Sequence, residues 1–328
     1  MPNTWQPACN LSHLRHRAQM LKTIRLFFDH RDVLEVETPL LCSATGTDPQ
    51  LDFFSSHYHC VANTESAADK RMFLQTSPEF AMKRLLAAGS GSIFQICKAF
   101  RNSELGRHHN PEFTILEWYR IGYSLSELIN EVTELIAELT NNKKSPYKIS
   151  YADLFEQTTG LNALEFCPQS YRAYALKNGL EDAIGLCENN HSLWLDFLFS
   201  YQVQPTLKQH PICIVYEYPA IQASLARINT KNPNVADRFE VFVQGIEIGN
   251  GFFELSDAGE QEKRFDQENS SREKMGLPQV KKDQHFLNAL KSGLPECSGI
   301  ALGLDRLLMI MTETQSLNDV ITFPFDRA

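Results

Sequence analysis

The sequence predicts an α+β fold, in which β-hairpins and amphipathic helices belong to one chain. Residues 93–101 and 113–119 alternate apolar and polar side chains around a polar turn, a pattern typical of a β-hairpin. Gln244-Gly245 separates two further alternating runs and indicates a second hairpin. Residues 11–31 repeat apolar side chains at three- and four-residue spacing, which predicts an amphipathic helix.

The remaining elements are predicted from caps and periodicity. Residues 76–89 are predicted to be helical, with Pro78 early in the segment, where proline is tolerated. Residues 124–141 form another predicted helix, with Ser124 or Ser126 as its N-cap. Residues 150–210 have a mixed and mostly helical pattern, and we identify no candidate catalytic or binding residues in them.

Composition limits the class of protein. The chain has 328 residues, of which 43% are hydrophobic, so one large or two average domains can form a core. The 40 acidic residues outnumber the 31 basic ones and leave a net charge of -9, which argues against sequence-independent nucleic-acid binding. No apolar run approaches a membrane span and the N-terminus does not read as a signal peptide, so we expect a cytoplasmic protein without a membrane partner.

The 8 cysteines form no C-x-x-C pair, and free thiols are the expected state. His57, His59 and Cys60 are the one tempting set of metal ligands. A second ligand pair is missing nearby, so the spacing argues against zinc.

The first predicted hairpin collects chemically useful side chains on one face. Arg101 lies on the same strand face as the small residues Cys97 and Ala99. After the turn, Phe113, Glu117 and Tyr119 share one face. A cation, an aromatic ring, a carboxylate and a phenol suit a nucleotide phosphate, its base and a cationic substrate. For any single residue, an ordinary hairpin with solvated charges remains the alternative.

The second predicted hairpin brings two carboxylates together. A two-residue turn would place Glu240 opposite Gly249 and Glu247 opposite Phe242, with the two glutamates diagonal at ~7–8 Å. Such carboxylates repel one another unless a cation lies between them, and Mg²⁺ on phosphate oxygens is the natural cation. Two solvated carboxylates are supported equally by the spacing.

Arg306 lies at the start of the last predicted helix, which follows a glycine-interrupted strand. An arginine is unfavourable at a helix N-terminus, and an anionic ligand would explain it there. A surface arginine is the alternative.

Five segments together resemble the class II aminoacyl-tRNA synthetases, and their order along the chain makes the signal specific. The segments at 27–39, 100–119 and 299–306 resemble motifs 1, 2 and 3 of that family, and T76-S-P-E79 and I246-E-I-G-N-G-F-F-E-L255 resemble the lysine-binding segments of its lysyl-tRNA synthetase subgroup.

The resemblance implies the class II catalytic fold, an antiparallel β-sheet flanked by helices, as a single domain over residues 1–328. It also implies a homodimer built through motif 1. Residues 150–210 would then be a mostly helical insertion. Motif 1 begins almost at once, so we expect no N-terminal OB-fold anticodon-binding domain and no stable tRNA binding.

Departures from the subgroup narrow the resemblance further. In the matching segments, Ser77 stands where lysyl-tRNA synthetases usually have an alanine, and Ala301 stands where motif 3 has a glycine. This pattern is similar to the elongation factor P lysyltransferases, a bacterial family of lysyl-tRNA synthetase paralogues. Motif 2 usually reads R-N-E, but Ser103 occupies the acidic place here, with Glu104 adjacent, so the carboxylate that contacts adenine is missing from that position.

The resemblance implies ATP and Mg²⁺ as cofactors, and (R)-β-lysine or lysine and elongation factor P as substrates. It assigns catalytic roles to Arg101 and Arg306, and metal binding to Glu240 and Glu247. The ATP-binding residues would be Arg101, Asn102, Ser103, Glu104, His109, Asn110, Phe113, Glu247, Ile248, Gly303 and Arg306. The amino-acid-binding residues would be Ser77, Pro78, Glu79, Glu117, Tyr119, Asn250, Phe252, Glu254 and Ala301.

Two other functions are weighed against this one. A truncated lysyl-tRNA synthetase could still charge tRNA, although the acidic balance argues against it. A non-catalytic regulatory paralogue is disfavoured because both arginines and both metal-site glutamates remain.

Overall fold

The computed structural model describes residues 5–59 and 70–328, and Cys60 of the zinc prediction lies outside them. The chain divides into two compact units, Met1–Gly122 with Ser256–Ala328, and Tyr123–Leu255. We call them the first and the second unit. The single domain over residues 1–328 stays a prediction.

Helices and strands alternate along the chain. The helices are α1 (Leu11–Asp29), α2 (Glu79–Ala87), α3 (Leu125–Thr140), α4 (Tyr151–Thr159), α5 (Pro168–Lys177), α6 (Asp182–Cys187), α7 (His191–Leu198), α8 (Ala258–Lys274), α9 (Gln284–Gly293) and α10 (Leu304–Met311). The strands are β1 (Leu34–Glu35), β2 (Leu41–Cys42), β3 (Ser55–Tyr58), β4 (Lys70–Leu74), β5 (Ile93–Phe100), β6 (Glu112–Ile121), β7 (Tyr147–Ser150), β8 (Ile212–Pro219), β9 (Val235–Val243), β10 (Ile246–Phe253) and β11 (Cys297–Gly303). Shorter π and 3₁₀ turns cover Phe199–Val203, Gln204–Gln209, Ala220–Gln222 and Leu317–Asp319.

The first unit contains strands in the order β1-β5-β6-β11 and a small sheet in the order β2-β4-β3. Strands β5, β6 and β11 pair antiparallel, which confirms the first predicted hairpin. Strand β1 pairs parallel with β5, so the sheet is mixed at this point rather than purely antiparallel. Strands β2, β3 and β4 and helix α2 lie between β1 and β5 along the chain, and parallel pairing requires a crossover of this kind.

The second unit contains strands in the order β10-β9-β8-β7, with β7 parallel to β8 and the other pairs antiparallel. Gln244 and Gly245 have φ angles of 53° and 78°, and positive φ at both positions is what a type I′ hairpin turn requires. The predicted turn is therefore confirmed. A side chain on Gly245 would lie 3.2 Å from the backbone nitrogen of Lys208, so the close approach also favours glycine.

The predicted register of this hairpin is correct near the turn and wrong beyond it. Glu247 pairs with Phe242 as predicted, but a bulge between Glu247 and Gly249 shifts the register. Glu240 therefore lies opposite Asn250 and not opposite Gly249. One extra residue on the bulged strand accounts for the shift.

The helices of the second unit cover one sheet face with aromatic side chains. These side chains form a hydrophobic core cluster, and Trp194, Phe155 and Tyr171 are among its largest buried members. Ser124 caps α3 through a reciprocal capping box with Glu127, which confirms the predicted N-cap. Among the described helices, none has the length and apolar character needed to cross a membrane.

In the first unit, helix α8 holds the segment that precedes β3. The buried Arg272 guanidinium donates to the backbone oxygen of Asp48 at 3.1 Å. The Thr47 hydroxyl donates to the Glu268 carboxylate. Burial is the main cause that raises the pKa of Glu268 from its ordinary 4.5 to about 7, and the nearby Asp48 carboxylate adds to the shift.

Glu268 is expected to make stability depend on pH. Because its folded-state pKa is raised, its contribution is fully present below 4.5 and is lost as pH rises to about 7. The free energy of unfolding should fall across this window by at most about 1.4 kcal/mol per pH unit for one proton. Denaturant unfolding of wild type and Glu268→Gln at several pH values measures the difference. Parallel stability curves for the two proteins would show that Glu268 does not titrate in this way.

Candidate active site

Strands β5 and β6 place Arg101 over an aromatic ring in the first unit. Ala99 pairs with Phe113, so Arg101 falls on the Phe113 face just beyond the end of β5. The guanidinium carbon lies 5.1 Å from the Phe113 ring centroid, and an Arg101 nitrogen lies 3.7 Å from the Glu104 carboxylate. This geometry confirms the predicted shared face.

Arg101 has donor capacity left over for an anion. Its Nε is buried and has no hydrogen-bond partner among the described residues. A buried donor without a partner costs free energy, and a phosphate oxygen would satisfy it. The arginine beside an open aromatic face therefore fits the phosphate and the base of a nucleotide.

Glu117 is the centre of a buried hydrogen-bond network on β6. Its side chain accepts from the Ser77 hydroxyl and from the Tyr119 phenol, each at 2.6 Å. The Ser77 hydroxyl in turn accepts from the Glu79 backbone N–H at 3.1 Å. Across the sheet, Ala301 on β11 pairs with Glu117. Five of the predicted amino-acid-binding residues thus meet at one place.

A buried lysine, Lys83, lies close to the Glu79 and Glu117 carboxylates. The Lys83 ammonium is 2.5 Å from the Glu79 carboxylate, and the Lys83 side chain has no exposed surface. Burial chiefly raises the pKa of Glu117, and the Glu79 charge raises it further, whereas Lys83 and the two hydroxyls oppose the shift. With both carboxylates ionised, the three groups carry a net charge of -1. One ammonium group from a ligand would neutralise them.

The start of α10 is fixed to β6 by a buried carboxylate. Asp305 accepts from the Arg17 guanidinium at 2.5 Å and from the Thr114 backbone N–H at 2.6 Å. The next residue, Arg306, donates to the His108 backbone oxygen at 3.1 Å and lies 2.7 Å from the His109 ring nitrogen. The structure therefore brings Arg306 and His109 together, as the predicted ATP-binding set requires.

Asn110, also predicted to bind ATP, has its amide occupied by backbone groups. Its Nδ2 donates to the Glu112 oxygen at 2.6 Å, and its Oδ1 accepts from the Phe325 N–H at 3.0 Å. Asn110 is also buried. These bonds give it a structural role at the end of the turn. Pro78 occupies the N-cap position of α2 and Gly303 that of α10, in both cases without a capping hydrogen bond from the side chain.

The metal-site prediction falls on the second unit. Glu240 is buried, and its carboxylate already accepts from the Arg238 guanidinium at 2.5 Å. Burial first, and the Glu247 charge second, raise the pKa of Glu240, while Arg238 opposes the shift. The repulsion between the two glutamates fits a cation near them, since Mg²⁺ sites use one or two carboxylates together with substrate phosphates.

The other predicted residues of the second unit lie along β10 and just beyond its end. Asn250 lies opposite Glu240 and accepts from the Arg238 Nε at 3.2 Å. Phe252 packs in a small core cluster, while Ile248 and Glu254 are buried. Residues 5–59 and 70–328 contain no group of three or more His, Cys, Asp or Glu side chains that could hold a metal ion.

Sequence reasoning missed three residues that hold this chemistry in place. Lys83 follows Glu79 by four residues on α2, a spacing that signals a helical ion pair. Arg238 precedes Glu240 by two residues on β9, so the strand period puts them on one face. Asp52 contacts the turn after β5 from 50 residues away, and no local pattern could have found it.

Comparison with known proteins agrees with this geometry. The family model of the class II tRNA synthetases (D, K and N) matches residues 8–327. The chain therefore belongs to the class II tRNA synthetase family. Membership makes it an ATP-dependent ligase and confirms the predicted fold class.

Two curated proteins are similar to this chain over nearly its whole length. A protein of Salmonella dublin is 45% identical over 325 residues, which cover 99% of this chain and 98% of the relative. A protein of Pseudoalteromonas translucida (strain TAC 125) is 45% identical over 326 residues, covering 99% of each chain. Both are named elongation factor P–(R)-β-lysine ligase.

The buried ion pair on α2 should be costly to break. Lys83→Met leaves the Glu79 and Glu117 carboxylates close together without their cation, so we expect a loss of about 3–5 kcal/mol in the free energy of unfolding. Denaturant unfolding measures it.

Lys98→Met is the matched control, because the Lys98–Glu112 pair at 3.3 Å is about half exposed on both sides. It should cost less than about 1 kcal/mol. Equal losses in the two variants would contradict a special role for Lys83.

Proposed function

We propose that this protein activates (R)-β-lysine, or lysine, with ATP and transfers it to a lysine ε-amine of elongation factor P. The observation that carries the proposal is the buried Glu117 network, in which the Glu117 and Glu79 carboxylates lie with the single Lys83 ammonium and suit a cationic amino acid. The names of relatives that are 45% identical over 99% of the chain support it.

The first step is formation of an aminoacyl-adenylate. The amino-acid carboxylate attacks the α-phosphorus of ATP, a P–O bond forms, and the bond to pyrophosphate breaks. Arg101 neutralises the charge that builds on the α-phosphate oxygens, and Phe113 stacks on the adenine. Arg306 and His109 bind the terminal phosphate.

Glu240 and Glu247 are the residues proposed to hold Mg²⁺, which would supply positive charge to the phosphate oxygens. Arg238 orients the Glu240 carboxylate through their ion pair. Asn250, on the opposite strand, shares that guanidinium and orients it.

Recognition of the amino acid is assigned to the carboxylates. Glu117 and Glu79 pair with substrate ammonium groups, because a buried unpaired ammonium is costly. Tyr119 and Ser77 hold the Glu117 oxygens in position. Glu254 is proposed as a further carboxylate for the second ammonium group.

In the second step the ε-amine of the protein acceptor attacks the adenylate carbonyl. An amide C–N bond forms, the C–O bond to AMP breaks, and the amine loses one proton. No base for this proton is assigned. A homodimer built through α1 and β1 stays a prediction.

Mass spectrometry of the products tests the proposal. The protein is incubated with ATP, Mg²⁺, elongation factor P and tRNA, and with each lysine isomer in turn. The proposal expects elongation factor P heavier by one lysyl group and unmodified tRNA. Charged tRNA would favour a truncated lysyl-tRNA synthetase, and no product with either acceptor would favour a regulatory paralogue.

Arg101 is expected to dominate the activation step. Arg101→Ala should lower the rate of lysine-dependent ATP–pyrophosphate exchange by about 100- to 1,000-fold, the loss typical of one oxyanion donor. Arg172→Ala is the control, since Arg172 is exposed and its guanidinium donates to the Asn189 side chain at 3.2 Å in the second unit. Unchanged exchange in Arg101→Ala would remove Arg101 from this role.

Ala301 and Ser77 are expected to favour β-lysine. Ala301 pairs with Glu117 across the sheet and Ser77 donates to Glu117, so both border the proposed ammonium position. A methyl at 301 crowds the α-amine of ordinary lysine. Ala301→Gly should reduce the ratio of kcat/KM for β-lysine over α-lysine by about 10-fold. An unchanged ratio would place the selectivity elsewhere.

A further inference from the structure

The turn that follows β5 is held by a residue from a distant segment of the first unit. The Asp52 carboxylate accepts from the Asn102 side-chain amide at 2.8 Å and from the Ser103 hydroxyl at 3.3 Å. The Asp52 backbone oxygen accepts from the Asn102 backbone N–H at 3.1 Å. Three hydrogen bonds therefore tie Asp52 to two consecutive residues beside Arg101.

Ser103 needs such support because of its backbone conformation. Its φ is 61°, in the left-handed region that residues with a β-carbon seldom adopt. Conformations of this kind persist only where the surroundings impose them. The contacts of Asp52 with Asn102 and Ser103 are such surroundings. Arg101, which precedes them, is anchored on the other side by its N–H bond to the Pro111 oxygen at 2.9 Å.

Asp52 is exposed, but the chain on both sides of it is fixed. The preceding residues are held by Arg272, which donates to the Asp48 oxygen, and by the Glu268–Thr47 contact. The following residue, Phe53, is buried against Phe73, with ring centroids 5.1 Å apart. The Asp52 carboxylate is thus presented to the turn from a rigid segment.

The carboxylate at this turn comes from Asp52 and not from the turn residue Ser103. Ser103 occupies the place where a motif of this kind has a carboxylate, and Asp52 brings a carboxylate to that same residue. We propose that Asp52 is a positioning residue for ATP binding, and that it supplies from a separate segment the carboxylate that the turn lacks at Ser103. This inference rests on the proposed function.

The test compares four proteins with wild type: Asp52→Ala, Asp52→Asn, Ser103→Glu and the double variant Asp52→Ala/Ser103→Glu. Asp48→Ala is the matched control, because the Asp48 carboxylate lies on the same segment and accepts from the Gln50 N–H instead of from the turn. Calorimetry gives the Kd for ATP alone, and ATP–pyrophosphate exchange gives KM for ATP and kcat.

Asp52→Ala removes both carboxylate hydrogen bonds to the turn and should raise the Kd and the KM for ATP by about 10-fold, with kcat nearly unchanged. Asp48→Ala should leave both constants as in wild type. Ser103→Glu should weaken ATP binding in the wild-type background, where two carboxylates repel, and restore it in the Asp52→Ala background. This change of sign is not expected from a merely structural contact.

Wild-type ATP affinity in Asp52→Ala, or no rescue by Ser103→Glu, would overturn the inference. Thermal unfolding of each variant identifies misfolding; where Asp52→Ala is unfolded, Asp52→Asn carries the test and should raise the Kd in the same direction. If wild type catalyses no ATP–pyrophosphate exchange with either β-lysine or α-lysine, the proposed function fails. If wild type is active and Asp52→Ala equals it, only the role of Asp52 fails.

Discussion

The interaction on which the first unit's pocket depends is the burial of the Glu117 carboxylate inside the sheet. A carboxylate placed there must be paired or hydrogen-bonded, because desolvation of an isolated charge is costly. Ser77 and Tyr119 supply the hydrogen bonds, and Lys83 with Glu79 sets the local charge. Burial raises the pKa of Glu117, so a further cation beside it would favour the ionised carboxylate.

A second buried carboxylate, Asp305, positions residues of the first unit that are proposed to bind ATP. Asp305 is buried and paired with Arg17, and it fixes α10 to β6 so that Arg306 reaches His109. Asp305 therefore orients α10 relative to β6. Arg101, which is proposed to contact the ligand, retains an Nε–H donor that no described residue satisfies.

Local patterns predicted much of this fold. The first hairpin, the type I′ turn at Gln244-Gly245 and the Ser124 cap follow from strand alternation, turn chemistry and capping preferences. The bulge after Glu247 was not predictable, because Gly249 and Gly251 have no side chains that would reveal the change of phase in the alternation. The parallel pairing of β1 depends on a crossover whose course the sequence does not encode locally.

The candidate site was predictable to the extent that its residues lie in motifs. Residues that act through neighbours were missed for different reasons. Lys83 and Arg238 follow helical and strand spacing and could have been found, whereas Asp52 reaches Asn102 only through tertiary structure. The partners of buried charges are often distant in sequence, so pairing is settled by packing.

Proton release on binding of β-lysine tests the central claim about Glu117 most directly. Because burial and Glu79 raise the pKa of Glu117, an ammonium bound beside it should lower that pKa and expel a proton near neutral pH. Titration calorimetry in buffers of different ionisation enthalpy measures this release. The account predicts release in wild type that disappears in Glu117→Gln. Binding of β-lysine without proton release, or with equal release in both proteins, would contradict it.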